Sequence, residues 1–152
     1  MIGDLFGAGS ETTVTTLRWA LLFMFHNPLV QQKVHAEIDR VIGSQRQITC
    51  SDTTNLPYTM AVISEVQRLG DIVPLSVPHM NIEDTTLRGY YIPARTTVLV
   101  NLHGVHYDPR YWEKPQEFKP ERFLDSEGQY KKPDELIPFS IGRYLHVHGW
   151  AY

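Results

Sequence analysis

The chain is short of three things, and each shortage closes a class of function. It has one cysteine in 152 residues, Cys50, so no internal disulfide framework staples it, and that usage fits a reducing compartment. Long apolar runs are missing: the most apolar stretch, residues 19–25, falls well short of the ~20 residues a bilayer-spanning helix needs, and no signal-peptide pattern is visible. Positive charge is scarce, with 14 Lys and Arg against 17 Asp and Glu for a formal charge of −3. No Lys/Arg run is interleaved with aromatics, so nucleic acid is not an expected partner.

There is also no internal repeat and no low-complexity tract. What remains is a chain that is 42% apolar and long enough for one domain with a real core. Met1 runs straight into an apolar, Thr-rich pattern, and the other end stops at Trp150-Ala151-Tyr152 without a closing element. A segment of something larger is therefore expected.

Residues 2 to about 25 read as a helix of unusual make-up: Gly7, Ala8, Gly9 and Ser10, then Thr12 and Thr13, then the bulky Leu17, Leu21, Leu22 and Phe25. Each glycine costs a helix about 1 kcal/mol against alanine, and β-branched threonines are poor helix formers. Small residues let a backbone approach a ligand closely, and Thr or Ser hydroxyls bond carbonyls of the preceding turn and loosen it. Asn27 is the expected N-cap of a second helix with Pro28 at its first position. Val30, Val34, Ile38 and Ile42 form its apolar stripe, Lys33, Glu37, Asp39 and Arg40 lie mostly elsewhere, and Gly43 ends it.

Residues 44–55 are polar and read as a loop with a short helical turn. A third helix is predicted from Pro57 to about Leu69, with Tyr58, Ala61, Val62, Val66 and Leu69 as its stripe and Gly70 as its stop. Residues 73–102 are punctuated by Pro74, Pro78, Gly89 and Pro93 and contain the alternation Val98, Val100, Leu102, which predicts short strands and hairpins. From 103 to 139 the composition predicts one short helix near the start and then an ordered meander. The expected class is mainly α with small β-hairpins, that is, α+β.

Four strings carry chemistry. Ala8-Gly9-Ser10-Glu11-Thr12-Thr13 places two small residues, an acid and two hydroxyls inside an apolar helix. One use is oxygen chemistry, with the helix passing close to a cofactor face and offering a hydroxyl and a carboxylate for proton delivery. The other is a Gly/Ser packing face with threonine back-bonding. Glu65-x-x-Arg68 puts an acid and a base on one helix face, and Pro120-Glu121-Arg122-Phe123 supplies a second arginine before the last loop. One carboxylate clasped by two guanidinium forks suits a rigid support for a loop; two solvated charge pairs are the alternative. The fourth string is Pro138–Gly149, P-F-S-I-G-R-Y-L-H-V-H-G.

In this order the strings resemble the carboxy-terminal part of a cytochrome P-450, the haem-thiolate monooxygenases, over nearly the whole chain from Ile2 to Arg143. A-G-S-E-T-T looks like the oxygen-activation stretch of the family's long central helix, E-V-Q-R with P-E-R-F like its Glu-Arg-Arg lock, and P-F-S-I-G-R like the start of its haem loop. L-P-Y-T-M-A-V-I-S-E-V-Q-R-L, V-P-H and Y-W-E-K-P-Q-E-F-K-P-E-R-F-L are most similar to animal microsomal members that oxidise small lipophilic molecules.

The resemblance implies haem as cofactor, a lipophilic small-molecule substrate and a flavoprotein reductase as partner. It implies the cytosolic face of the endoplasmic reticulum membrane for the parent protein, held there by a segment absent from this chain. Thr12 would serve proton delivery in oxygen activation with Glu11 in the relay, and Ala8 and Gly9 would line the cofactor and substrate space. Glu65, Arg68 and Arg122 would be the lock, and His79 would bond a haem propionate. Val73, Leu75 and Val77 would border the substrate cavity, and Phe139, Gly142 and Arg143 would open the haem loop.

That loop departs from the family pattern F-x-x-G-x-R-x-C-x-G. Phe139 and Gly142 match, but Tyr144 stands at the propionate-binding Arg, His146 at the thiolate Cys and His148 at the following Gly. Residues 1–143 of this partial domain are therefore family-like and 144–152 a divergent tail. With its cysteine ligand absent, the chain is not expected to turn over, and no metal ligand is assigned. Cys50 lies in a polar loop before the third helix, far from the required place in the motif order. The alternatives are a non-catalytic chain that at most binds partners, or a weak histidine-ligated haem or metal binder through His146.

Overall fold

A computed structural model describes residue 3 and residues 6–44 and 46–141. The glycine-rich start winds as a π-helical turn, Gly7–Glu11, that runs directly into α1, Thr12–His26. The threonines account for the loosened winding. Thr12 Oγ1 donates to the Ala8 carbonyl at 2.6 Å, Thr13 Oγ1 to Gly9 at 3.1 Å and Thr16 Oγ1 to Thr12 at 2.8 Å, drawing off the carbonyls the regular ladder would use.

α2, Pro28–Val41, follows with Pro28 at its first position. Asn27 precedes it as expected but does not cap it: its Nδ2 turns back and donates to the Phe23 carbonyl at 2.8 Å, so it closes α1 instead. Gly43, at φ +69°, supplies the left-handed residue after α2, and its N–H reaches Ile38 O at 3.3 Å. A 3₁₀ turn, Cys50–Asn55, then leads into α3, Pro57–Gly70.

The helical part is arranged around α3, against which α1, α2 and the 3₁₀ turn Pro120–Phe123 all pack. On one side Val62 and Val66 meet Val34 of α2, with Ala20, Phe23 and Met24 of α1 closing over them. A stack of Trp19, Phe23 and Phe118 extends that contact, with centroids 5.4 and 4.7 Å apart. On the other side Ala61 sits among Trp112, Phe123 and Leu136 of the meander, and Ser64 Oγ shares a 2.7 Å hydrogen bond with the Tyr130 hydroxyl. A helix apolar on both flanks is a central one, and each buried valine contributes ~1.5–3 kcal/mol.

The stop of α3 differs from the sequence expectation. Gly70 is still helical, and an added Cβ there would meet the Trp19 ring at 3.4 Å; the left-handed residue is Asp71, φ 39°. Glu37 also departs from the solvated face of α2. It is 7% exposed, and its carboxylate accepts the backbone N–H groups of Tyr58 at 3.0 Å and Thr59 at 2.7 Å. It therefore caps the start of α3 from outside.

Beyond α3 the chain makes two antiparallel pairs: β1, His79–Met80, with β4, Thr97–Val98, and β2, Thr85–Leu87, with β3, Tyr90–Ile92. The alternation of Val98, Val100 and Leu102 is not one strand, because Leu102 opens α4, Leu102–His106. The Asn101 side chain accepts from Gly104 N at 2.9 Å and starts that helix. The fold is thus mainly α with small antiparallel strand pairs. No described helix is long and apolar enough to cross a membrane.

Candidate functional site

Glu65 and Arg68 lie one helical turn apart on the face of α3 turned toward the meander, and neither exposes any surface. Arg68 Nε donates to Glu65 Oε2 at 2.8 Å and its Nη2 to Oε1 at 2.9 Å. Oε1 also accepts from Arg122 Nε at 3.1 Å and from the Lys119 backbone N–H at 2.8 Å. The other arm of Arg68 donates to the carbonyls of His106 and Pro115, both at 2.7 Å, while Arg122 reaches the Glu113 carbonyl at 3.0 Å. Trp112 covers the Arg68 guanidinium, 5.1 Å from its ring centre.

Two guanidinium groups and one carboxylate thus tie backbone of His106, Glu113, Pro115, Glu117 and Lys119 to α3. Among the described residues no buried side-chain polar atom lacks a partner, the condition under which a buried ion pair is tolerated.

A second node lies one turn further along. His106, with no exposed surface, accepts the Ile137 N–H at Nε2 over 3.2 Å and faces Asp71 Oδ1 with Nδ1 at 3.4 Å. Asp71 Oδ2 in turn meets His103 Nδ1 at 2.7 Å. Burial pushes the His106 imidazole pKa down from its ordinary 6.5 against the opposing pull of Asp71. Directly after, the Ser140 N–H bonds the Ile137 carbonyl at 2.9 Å. With Ser140 left-handed at φ 68°, this forms the turn that carries Phe139.

An open pocket of about 240 Å³ is lined by Val73, Ser76, Val77, His79, Leu102, Phe139 and Ser140. The structure therefore brings together Val73, Val77, His79 and Phe139 of the residues singled out in the sequence. Leu75 is 52% exposed and not part of that lining. Ala8, Gly9 and Glu11 lie exposed on the π-helical turn and Thr12 is half-buried; none of them lines this pocket. The link from α1 is Thr16, one turn after Thr12, which with Trp19, Gly70 and Phe139 lines a narrow gap of about 10 Å³. Gly142, Arg143, Tyr144, His146 and His148 lie outside the described residues.

Sequence reasoning missed Glu37, Asp71 and His106. Only Asp71 carried a local signal, since an Asp after a helix tolerates the left-handed region. Asp52 was missed as well. It accepts both arms of Arg46, at 2.8 and 2.7 Å, and the N–H and hydroxyl of Thr49, each at 2.8 Å. Arg46 and then Thr49 hold its carboxyl well below the usual carboxylate range.

Comparisons with known proteins match nearly the whole chain. The family profile for Cytochrome P450 matches residues 1–144. The chain is 54% identical over 143 residues to "Cytochrome P450 2U1" of Homo sapiens, a match covering 94% of this chain and 26% of that protein. It is 54% identical over 140 residues to "Cytochrome P450 2J2" of Homo sapiens, covering 92% and 28%, and 51% identical over 140 residues to "Cytochrome P450 2J5" of Mus musculus, covering 92% and 28%. It spans about a quarter of the length of these relatives.

Proposed function

Because the chain belongs to the cytochrome P450 family, we propose that it is the lock-bearing part of a haem-dependent monooxygenase for small lipophilic substrates, and that as it stands it does not turn over. In this reading Glu65, Arg68 and Arg122 are the structural lock. Val73, Val77, His79 and Phe139 border the cofactor and substrate space, with Leu75 at its outer rim. Ala8, Gly9, Glu11 and Thr12 serve oxygen activation from α1, and Gly142 and Arg143 continue the haem loop. A flavoprotein reductase would supply electrons, at the endoplasmic reticulum membrane.

Lack of turnover rests on one observation, the donor set. A thiolate ligand pushes electron density onto haem iron and favours O–O cleavage, and the family position for it holds His146. Cys50 offers no substitute. Its 3₁₀ turn packs at the start of α3, whereas Phe139 lies beside Gly70 at the helix's far end. Fourteen residues of α-helix separate the two, roughly 20 Å. The described residues therefore do not fit a thiolate-held haem, and no reaction step is derived through one. The family match takes in residue 144 and leaves 145–152 outside it, which supports a divergent tail that begins one residue later than the 144–152 read from the sequence.

Turnover is the test. The chain loaded with hemin and supplied with a flavoprotein reductase and reduced nicotinamide is expected to give no oxidised product from a lipophilic probe. Product formation above a hemin-only control overturns the proposal. A second reading, a non-catalytic chain that binds partners, is favoured by the exposed Leu17, Leu21, Leu22 and Phe25 of α1. The third, weak haem or metal ligation by His146, is abolished by His146→Ala if it holds.

A further inference from the structure

We infer that His106 is a positioning residue: as a neutral imidazole it holds the start of the terminal loop against the end of α3, and protonation releases it. The inference stands apart from the haem reading, because it concerns only how residues 137–140 are fixed.

The geometry leaves the ring one arrangement. Nε2 accepts from the Ile137 N–H at 3.2 Å, so Nε2 carries no proton, and a neutral imidazole then bears its proton on Nδ1. That nitrogen faces Asp71 Oδ1 at 3.4 Å, and a carboxylate is the partner an N–H wants. A doubly protonated ring would turn an N–H toward the Ile137 N–H, donor against donor, where the His106 side chain itself has no exposed surface. Burying an unsatisfied donor pair disfavours that state strongly.

The position matters for the loop. Ile137 is bonded through its N–H to His106, and through its carbonyl it takes the Ser140 N–H at 2.9 Å. This one residue therefore fixes the turn that presents Phe139 to the pocket. The His106 carbonyl is itself gripped by Arg68 at 2.7 Å, which ties the ring's backbone to the buried charge network. Three charged or titratable groups face His106: Asp71 on the cap of α3, Arg68 on α3 and His103 on α4. Asp71 favours the protonated ring, while Arg68 and His103 oppose it along with burial.

The sign follows from linkage. A histidine pKa depressed on folding gives stabilisation that is complete above its unfolded value of 6.5 and is lost progressively as pH falls below it, because the unfolded chain then binds the proton first.

Amide hydrogen exchange at Ile137 in the full 152-residue chain, divided by the intrinsic rate at each pH, tests the proposal. Protection is expected at neutral pH and should fall by roughly tenfold on acidification through the histidine range. His106→Gln, whose side-chain carbonyl also accepts, should keep protection at both pH values. His106→Phe should show none at Ile137 while Val62 and Val66 of α3 stay protected. No protection at Ile137 at neutral pH, protection that ignores pH in the wild type, or an unchanged His106→Phe overturns it.

Discussion

Glu65 and Glu121 make ion pairs of similar length with opposite consequences. The Glu65–Arg68 pair, at 2.8 Å, has both side chains fully buried; the Glu121–Lys33 pair, also at 2.8 Å, leaves them 42% and 57% exposed. Glu65→Gln leaves two guanidinium groups facing an uncharged partner, and breaking a buried pair from one side costs about 3–5 kcal/mol, a large share of a domain's ~5–15 kcal/mol. Lys33→Met should cost under about 1 kcal/mol. Urea titration is expected to show a collapsed or lost transition for Glu65→Gln and an almost unmoved midpoint for Lys33→Met; equal shifts would contradict the burial argument. The sequence made the Glu65–Arg68 pair legible as residue types at helical spacing, while Arg122 came from the separate P-E-R-F string 57 residues away. It did not reveal that Lys119, Pro115 and His106 lend backbone groups, because main-chain partners have no signature in residue type.

Among the elements, the 3₁₀ turn Cys50–Asn55 depends on one carboxylate. Asp52 and Thr49 bond reciprocally as a capping box, and Arg46 locks the carboxylate from outside. Its pKa lies below the unfolded value of 3.8, so its stabilisation is complete above that value and declines as pH falls beneath it. Circular dichroism against pH should show an acid limb in the wild type that is shallower in Asp52→Asn; identical limbs would contradict the role. α1, α2 and α3 were legible because apolar residues recur at helical spacing, and the threonine back-bonding of the first turns was legible from Thr12 and Thr13. Their exact ends were less so. Asn27 had two competing backbone targets, Asp71 took a conformation expected of Gly70, and Leu102 satisfied a strand alternation while starting α4.

For the molecule as a whole, the described parts of the site divide into a support and a surface. The support is buried and fully bonded: the lock, His106 and the turn at Ile137 that carries Phe139. The surface is the open pocket at His79 and the exposed α1 residues Leu17, Leu21 and Phe25, at 59, 73 and 77%. In the proposed reading the support of the haem loop is kept while the residue at the ligand position differs, because Glu65, Arg68 and Arg122 bond backbone up to Lys119 and His106 bonds Ile137, all before residue 146. The most direct test is the carbon monoxide difference spectrum of the full chain after hemin loading and reduction. The account predicts no thiolate-type band, with any haem that binds giving an imidazole-type or free-hemin spectrum. A thiolate-type band from this chain would contradict it.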